Sequence, residues 1–96
     1  MDRADKIYHK NPDIVFRKIA SECILVPIRH KVGDLDSIYA LNEVSARMWE
    51  LIDGKRGVQE IKKTMLEEFE VKENALESDL SGFLETIEAM GFINLT

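Results

Sequence analysis

The sequence predicts an α+β domain in which a three-stranded antiparallel sheet is followed by three helices. Short runs of β-branched and aromatic residues occupy the first 41 residues, whereas apolar residues recur at helical spacing from residue 43 onward. The 96 residues contain no repeat, linker or low-complexity stretch, and this length suits one folded unit. We therefore expect one domain over residues 13–96, preceded by a polar N-terminal tail over residues 1–12.

Three segments have the composition of strands. Residues 13–20, DIVFRKIA, mix β-branched and aromatic residues with charge, as a half-exposed strand does. Residues 22–29 are a continuous apolar run in which Pro27 lacks the N–H that a sheet ladder needs, so we expect an edge position or a bulge there. The short apolar segment SIYAL, residues 37–41, is the third predicted strand.

The first two helices have recognisable ends. The first is predicted over about residues 43–53, because Asn42 is a favourable N-cap and Gly54 suits a left-handed C-cap. The second is predicted over residues 58–69, where the cap position is occupied by Gly57, which offers no side-chain oxygen. The abrupt change from the third strand to the first helix at Asn42 raises the question of what lies against that strand.

The third helix is predicted over about residues 74–90, with a start one or two residues earlier left open. Asn74 and Glu77 have the spacing of a capping box, and Gly91 suits the end of the helix. The two apolar residues after Gly91 can fold back onto the helix, as they often do at such caps. One stripe of the helix is apolar and consists of Leu76, Leu80, Phe83, Leu84, Ile87 and Met90.

A small sheet with three helices is the arrangement of a winged helix-turn-helix, so DNA binding has to be weighed. The net charge is +3 over residues 1–31 (seven basic, four acidic) and −8 over residues 32–96 (six basic, fourteen acidic). The third helix would be the recognition helix, but residues 73–91 contain five carboxylates and no Lys or Arg. Because binding DNA requires Lys and Arg to neutralise phosphates, this helix would be repelled from DNA.

The sequence contains no recognisable catalytic or metal-binding constellation. His9 and His30 have no Cys or His at ligand spacing, and there is no Gly-rich phosphate loop or nucleophile elbow. We therefore expect no enzymatic activity, no cofactor and no metal. Cys23 lies in an apolar run and is interpreted as a small buried hydrophobe. With no apolar run of membrane-spanning length and no secretory signal at the N-terminus, a cytoplasmic location is expected.

The helical region resembles the PqqD-like family, the small proteins of pyrroloquinoline quinone synthesis and related recognition elements for ribosomally made, post-translationally modified peptides. The resemblance rests on YALNEVSARMWELIDGKRGVQEI, with its Leu-Asn, hydrophobic-Trp and Asp-Gly pairs in order, and on LESDLSGFLETIEAMGFI. It covers about residues 37–93 closely and the preceding strands loosely. Gly57 departs from the Ser or Thr that the family often has at the second helix cap.

The resemblance implies a fold of winged helix-turn-helix type and a mechanism. In such proteins the leader of a precursor peptide adds to the last strand of the sheet, in a cleft walled by the third helix. If Tyr39 and Leu41 point inward, strand alternation turns Ile38 and Ala40 the other way. On the third helix, the small residues Ala75, Ser78, Gly82 and Ala89 lie away from the apolar stripe. The predicted peptide-binding residues are Ser37, Ile38, Tyr39, Ala40, Leu41, Leu76, Asp79, Leu80, Gly82, Phe83, Thr86 and Met90.

The partners implied are a leader peptide and a modifying enzyme, either a radical S-adenosylmethionine maturase or a peptidase/cyclase. A homodimer stays open, and neither nucleic acid nor a membrane is expected. Two alternatives remain: a winged-helix transcriptional regulator, and an adaptor that docks only the maturase. Most of the apolar residues that carry the resemblance also suit a hydrophobic core, and Trp49 in particular is expected to be buried.

Overall fold

A computed structural model describes residues 6–28 and 38–96, and its three-stranded antiparallel sheet has the order β2-β3-β4. Three helices follow this sheet, and a second, two-stranded sheet joins β1 to β5. The predicted α+β class with three strands before three helices is therefore confirmed. The elements are β1 (Tyr8–Lys10), β2 (Ile14–Ile19), β3 (Glu22–Pro27), β4 (Tyr39–Leu41), α1 (Glu43–Leu51), α2 (Val58–Glu68), α3 (Glu73–Ala89) and β5 (Ile93–Leu95).

Strand β3 is central, which corrects the edge position expected from its proline. Pro27 is the last residue of β3 and lies opposite Ile14 of β2. Pairing with β4 covers only Cys23–Leu25, so Pro27 lies past the stretch that pairs on that side. A proline is tolerated there because no described strand needs its missing N–H.

The start of α1 is capped as predicted, and more completely. The backbone N–H of Ser45 donates to Asn42 Oδ1 at 2.8 Å, and the Asn42 N–H donates in turn to Ser45 Oγ at 3.0 Å. This reciprocal pair is a capping box, although only the Asn42 half was predicted. Gly54 has a φ of +79°, as expected for a left-handed residue, but α1 ends earlier, with Ile52 as its C-cap.

The predicted capping box of α3 is wrong. The helix begins at Glu73 with Lys72 as its N-cap, and no side chain caps it. The Asn74 side chain instead accepts the neighbouring N–H of Ala75. The other end is as predicted: Gly91 has a φ of +80°, and Phe92 folds back to donate its N–H to the Ile87 C=O.

Strands β1 and β5 were not predicted, and β1 lies in the segment that the sequence suggested to be a tail. Tyr8 lies opposite Leu95, so the two ends of the chain pair directly. On its other side, the C=O of Tyr8 accepts the N–H of Gly54, and just before β1 the C=O of Lys6 accepts the N–H of Val58. Tyr8 is only 2% exposed, so this segment contributes to the core.

The hydrophobic core lies between the sheet and the helices. Trp49 is 3% exposed, which confirms its predicted burial, and Leu25 of β3 is fully buried in the same cluster. The remaining buried apolar residues are Leu41, Met48, Leu51, Ile52, Val58, Ile61, Met65, Leu76, Leu80, Phe83, Leu84, Ile87, Phe92 and Ile93. No helix in the described part of the chain is long and apolar enough to cross a bilayer.

Candidate functional site

The backbone groups of β3 alternate between its two neighbours. The N–H of Ile28 donates to the C=O of Asp13 at 2.7 Å, and this pair continues the register of β2 with β3 by one step. Because backbone groups on a strand point to opposite sides at successive residues, Val26 and Ile24 also direct theirs toward β2. The backbone groups of Cys23 and Leu25 therefore point toward β4.

This alternation determines which backbone groups of β4 lie at its outer edge. Ala40 lies opposite Ile24, whereas Tyr39 and Leu41 lie opposite the two β3 residues whose backbone groups face β4. The N–H and C=O of Ala40 therefore point away from β3. No described strand pairs with that outer edge. Ala40 thus offers one donor and one acceptor to an added strand.

The side chains of β4 alternate as the sequence predicted. Leu41 is buried and Tyr39 is half-buried, while Ile38 is 51% exposed and Ala40 is exposed. The Tyr39 ring meets the ring of Phe83 on α3, with centroids 6.0 Å apart and planes tilted by 57°. This contact places α3 beside the inner side of the open edge.

A groove of about 560 Å³ runs between β4, the start of α1 and α3. Its floor is apolar and includes Met48, Leu76 and Phe83. The wall on α3 is built mostly from short side chains. The lining residues are Tyr39, Ala40, Asn42, Val44, Ser45, Met48, Val71, Ala75, Leu76, Ser78, Asp79, Gly82, Phe83 and Thr86.

Gly82 keeps the middle of the α3 wall open. A Cβ atom at this position would meet no atom within 4 Å, so nothing in the fold requires a glycine. A glycine inside a helix costs about 0.5–1 kcal/mol relative to alanine. The Thr86 hydroxyl donates to the Gly82 C=O at 2.9 Å, which occupies its donor within the helix. The groove therefore gains width at some cost in helix stability.

Asp79 is the only charged residue among the described residues that line the groove. Other acidic residues of α3 are engaged elsewhere: Lys62 of α2 contacts Glu73 at 2.9 Å and Glu77 at 3.5 Å. No described cation lies within ion-pair distance of Asp79. Among the described residues, therefore, its carboxylate has no ion-pair partner.

Two sets of ion pairs tie the helices that wall the groove to α2. Both guanidinium nitrogens of Arg47 that face α2 lie 2.7 Å from Glu68 oxygens, and this hydrogen-bonded pair lowers the pKa of Glu68. On the other side of α2, hydrogen bonding to Glu73 raises the pKa of Lys62. These contacts connect α1 and α3 to the same helix, α2.

The structure brings together part of the predicted site. Tyr39, Ala40, Leu76, Asp79, Gly82, Phe83 and Thr86 all line the groove. Leu80 is buried in the core, Met90 lies outside the groove, and Leu41 lines a different depression on the far side of α1. Ile38 faces the outer side of the sheet, and Ser37 lies outside the described residues.

The wall contributed by α1 was missed by the sequence analysis. Val44, Ser45 and Met48 line the groove, together with Val71 from the connection between α2 and α3. The only sequence signal was their position directly after β4. Which side of α1 faces the open edge depends on tertiary packing, which periodicity along one helix does not reveal.

No group of three or more His, Cys, Asp or Glu residues suited to a metal ion occurs in the described ranges. The family model of coenzyme PQQ synthesis protein D (PqqD) matches residues 22–93 of this chain. This range contains β3, β4, all three helices and the whole groove. No curated protein matches the sequence.

A solved structure, TbiB1 in complex with the TbiA(beta) leader peptide, has the same fold. The TM-score is 0.70 at 21% sequence identity, and the match covers 90% of this chain and 94% of the other. At this level of identity the similarity concerns the fold.

Proposed function

The chain belongs to the PqqD family, and we propose that it is a non-catalytic module that captures the leader of a ribosomally made precursor peptide. The observation that carries this proposal is the open edge of β4, where Ala40 directs its N–H and C=O outward beside a preformed groove. An extended peptide pairs with such an edge through its own backbone. The TbiB1 complex supports the proposal because that protein has the same fold and a bound leader.

The bound leader forms a fourth strand next to β4. One leader residue exchanges two backbone hydrogen bonds with Ala40, which supplies affinity without regard to sequence. The leader residues on either side of it turn their side chains toward the groove, because side chains on a strand alternate. The apolar floor and the space over Gly82 then favour large apolar side chains at these two positions.

The wall of the groove adds selectivity by charge. A Lys or Arg of the leader near Asp79 meets a carboxylate that has no cation beside it among the described residues. The predicted residues that do not line the groove have other places in this scheme. Ile38 continues the open edge, whereas Leu41, Leu80 and Met90 support the strand and the helix.

The module presents the rest of the precursor to a modifying enzyme, either a radical S-adenosylmethionine maturase or a peptidase/cyclase. Membership of the PqqD family supports this partner, because a binding module without catalytic residues needs an enzyme to modify the precursor. We place this activity in the cytoplasm, where precursor peptides are made.

The alternative function, DNA binding by a winged-helix regulator, has no observation in its favour. The exposed surface of α3 is acidic, and the groove beside it contains a carboxylate and no Lys or Arg among its described residues. A gel-shift titration at physiological salt is expected to give no sequence-dependent complex. A submicromolar, sequence-dependent complex would overturn the peptide-binding proposal.

The direct test is NMR shift mapping of the labelled protein. The ligand is a synthetic leader of the cognate precursor, to be sought among short peptide genes next to the gene for this protein, with the TbiA(beta) leader as a non-cognate comparison. We expect the cognate leader to perturb residues 38–41 and the face of α3 between residues 75 and 86. Perturbations confined to α2 would place the peptide elsewhere and would refute strand addition at β4.

A further inference from the structure

The outer face of the three-stranded sheet is unusually apolar. An antiparallel sheet with one face on the core normally carries polar residues on the other face. In this sheet, the residues that alternate with the core-facing Phe16, Leu25 and Tyr39 are mostly aliphatic. The outward strand positions are Val15, Arg17, Ile19, Glu22, Ile24, Val26 and Ala40, five of them apolar.

The same face holds half of the most exposed large apolar residues in the described part of the chain. Ile19 at the end of β2 is 58% exposed, and Ile28 and Ile38, which flank β3 and β4, are 55% and 51% exposed. The other such residues, Val71, Met90 and Leu95, lie on different elements. Apolar residues that cluster on one face mark an interaction surface.

The charges of the molecule favour a second copy of this chain on this face. The helices lie on the opposite side of the sheet, and residues 43–96, which contain all three helices, have a net charge of −6 (six basic, twelve acidic). Two copies that pack sheet to sheet keep these acidic layers apart. The face itself carries charges of both signs, Arg17 and Glu22, so each copy offers a carboxylate to the guanidinium of the other.

The size of the face sets the strength of the contact. Strands β2 and β3 are six residues long and β4 is three residues long. With strands about 4.8 Å apart, the face covers roughly 240 Å². A standard interface buries about 800 Å² on each partner, so this face supports a weak, reversible association.

We propose that two copies of this chain associate through the outer faces of their three-stranded sheets, with the helices on the outside. The contact places Ile24 at its centre and Arg17 at its margin. A leader peptide added at β4 would lengthen the sheet sideways and would leave this face free. The proposal therefore does not depend on leader binding.

Sedimentation velocity of the purified protein at physiological salt tests the proposal. Over concentrations from about 10 µM to about 1 mM we expect a monomer–dimer equilibrium with a Kd on the order of 10⁻⁴ M. Ile24→Lys is expected to weaken it at least about tenfold by placing a charge at the centre of the contact. The matched control, Leu95→Lys, makes the same charge change at an exposed apolar residue of β5 and leaves the equilibrium unchanged.

Ile24→Lys and Leu95→Lys each make the net charge of the chain less negative. A loss of dimer therefore cannot come from a larger overall repulsion between two copies. If Ile24→Lys does not fold, Ile24→Thr keeps the β-branched shape and is expected to weaken association several-fold. A wild-type protein that stays monomeric up to about 1 mM would overturn the proposal, and so would an equal loss of dimer in Leu95→Lys.

Concentration-dependent NMR shifts should appear at residues 15–17 and 24–26. Shifts confined to residues 75–86 would mean that the copies meet through the groove, and would also overturn it.

Discussion

Strands β1 and β4 are both three residues long, but within the described part of the chain only β1 has backbone hydrogen bonds on both of its sides. The C=O of Tyr8 accepts the N–H of Gly54 at 3.0 Å, and on the other side the C=O of Ile7 accepts the N–H of Thr96 at 2.9 Å. Strand β4 pairs with β3 alone, and the backbone groups of Ala40 face the groove. The chain thus closes one short strand into the fold and keeps another available.

This difference separates stability from binding. A strand paired on both sides buries its hydrogen bonds and ties distant parts of the chain together, so its loss weakens the whole domain. An exposed edge contributes less to folding, but it is a template for an added strand. We expect substitutions near β1 to change stability and substitutions at β4 to change leader binding, and the following predictions test that division.

The largest expected effect is on stability, at Trp49 beneath β1. The ring is 3% exposed, and the Lys10 ammonium of β1 lies 5.1 Å from its centroid. Trp49→Ala should cost about 3–5 kcal/mol of the free energy of unfolding, because it leaves a large cavity. Thermal unfolding would show a Tm at least about 12 °C lower. A variant that melts within a few degrees of wild type would show that the closed region does not carry the stability.

Proline substitutions compare the two strands directly for stability. His9 of β1 lies opposite Asn94 of β5. The N–H of Asn11 donates to the C=O of Phe92, and the N–H of Thr96 donates to the C=O of Ile7. Since hydrogen-bonded pairs recur at every second residue of an antiparallel ladder, the N–H of His9 also points toward β5. His9→Pro should therefore cost about 2–3 kcal/mol. Ala40→Pro removes an N–H that points outward and should cost less than about 1 kcal/mol. Urea denaturation measures both; equal losses would mean that the two strands do not differ.

The same Ala40→Pro variant should lose leader affinity. It removes one backbone donor to the added strand and leaves an acceptor of the leader unpaired, so we expect at least about a tenfold increase in Kd. Fluorescence polarisation with the labelled leader measures this change. Ala40→Ser, which keeps the N–H, is the control and should bind within about twofold of wild type. If both variants bind like wild type, the leader does not pair with Ala40.

The open strand was more accessible to sequence analysis than the closed one. Strand β4 ends at Asn42, whose capping role is local, and the stripe of α3 is a pattern within one helix. Strand β1 has no such signal: its three residues pair with Ile93–Leu95, more than 80 residues away. Only Ile7 and Tyr8, apolar residues in an otherwise polar segment, hinted that the segment is held in the fold.

The candidate site was predictable to a similar extent. Helix periodicity placed Asp79, Gly82 and Thr86 close together on α3, but it did not determine which flank of the helix faces β4. It also selected Met90, which lies outside the groove. The wall on α1 was not predictable, since it depends on how two helices pack against one strand. The direction of the Ala40 N–H was also beyond the sequence, because it depends on the register of β3 with both of its neighbours.

Gly82 provides a test in which stability and binding should change in opposite directions. Gly82→Ala should stabilise the domain by about 0.5–1 kcal/mol, because its Cβ meets nothing within 4 Å. Gly82→Leu should also be tolerated by the fold, but it should weaken leader binding several-fold by narrowing the groove. Ala89→Leu, at an exposed position of α3 outside the groove, is the matched control. Equal affinity of the two leucine variants would show that the space over Gly82 is not used.

The smallest expected effect concerns the charge in the groove. Asp79→Lys should weaken binding of a leader that carries Lys or Arg only several-fold, because exposed charge pairs contribute about 0–1 kcal/mol. Wild-type affinity should fall as salt rises, and the variant should lose this dependence, since the attraction that salt screens is gone. Glu67→Lys, on the exposed face of α2, makes the same change in net charge away from the groove. Titrations of all three proteins at low and high salt distinguish local from general electrostatics. If Glu67→Lys weakens binding as much as Asp79→Lys, the leader responds to the overall charge of the domain. The groove then recognises the leader only through its shape and through backbone hydrogen bonds.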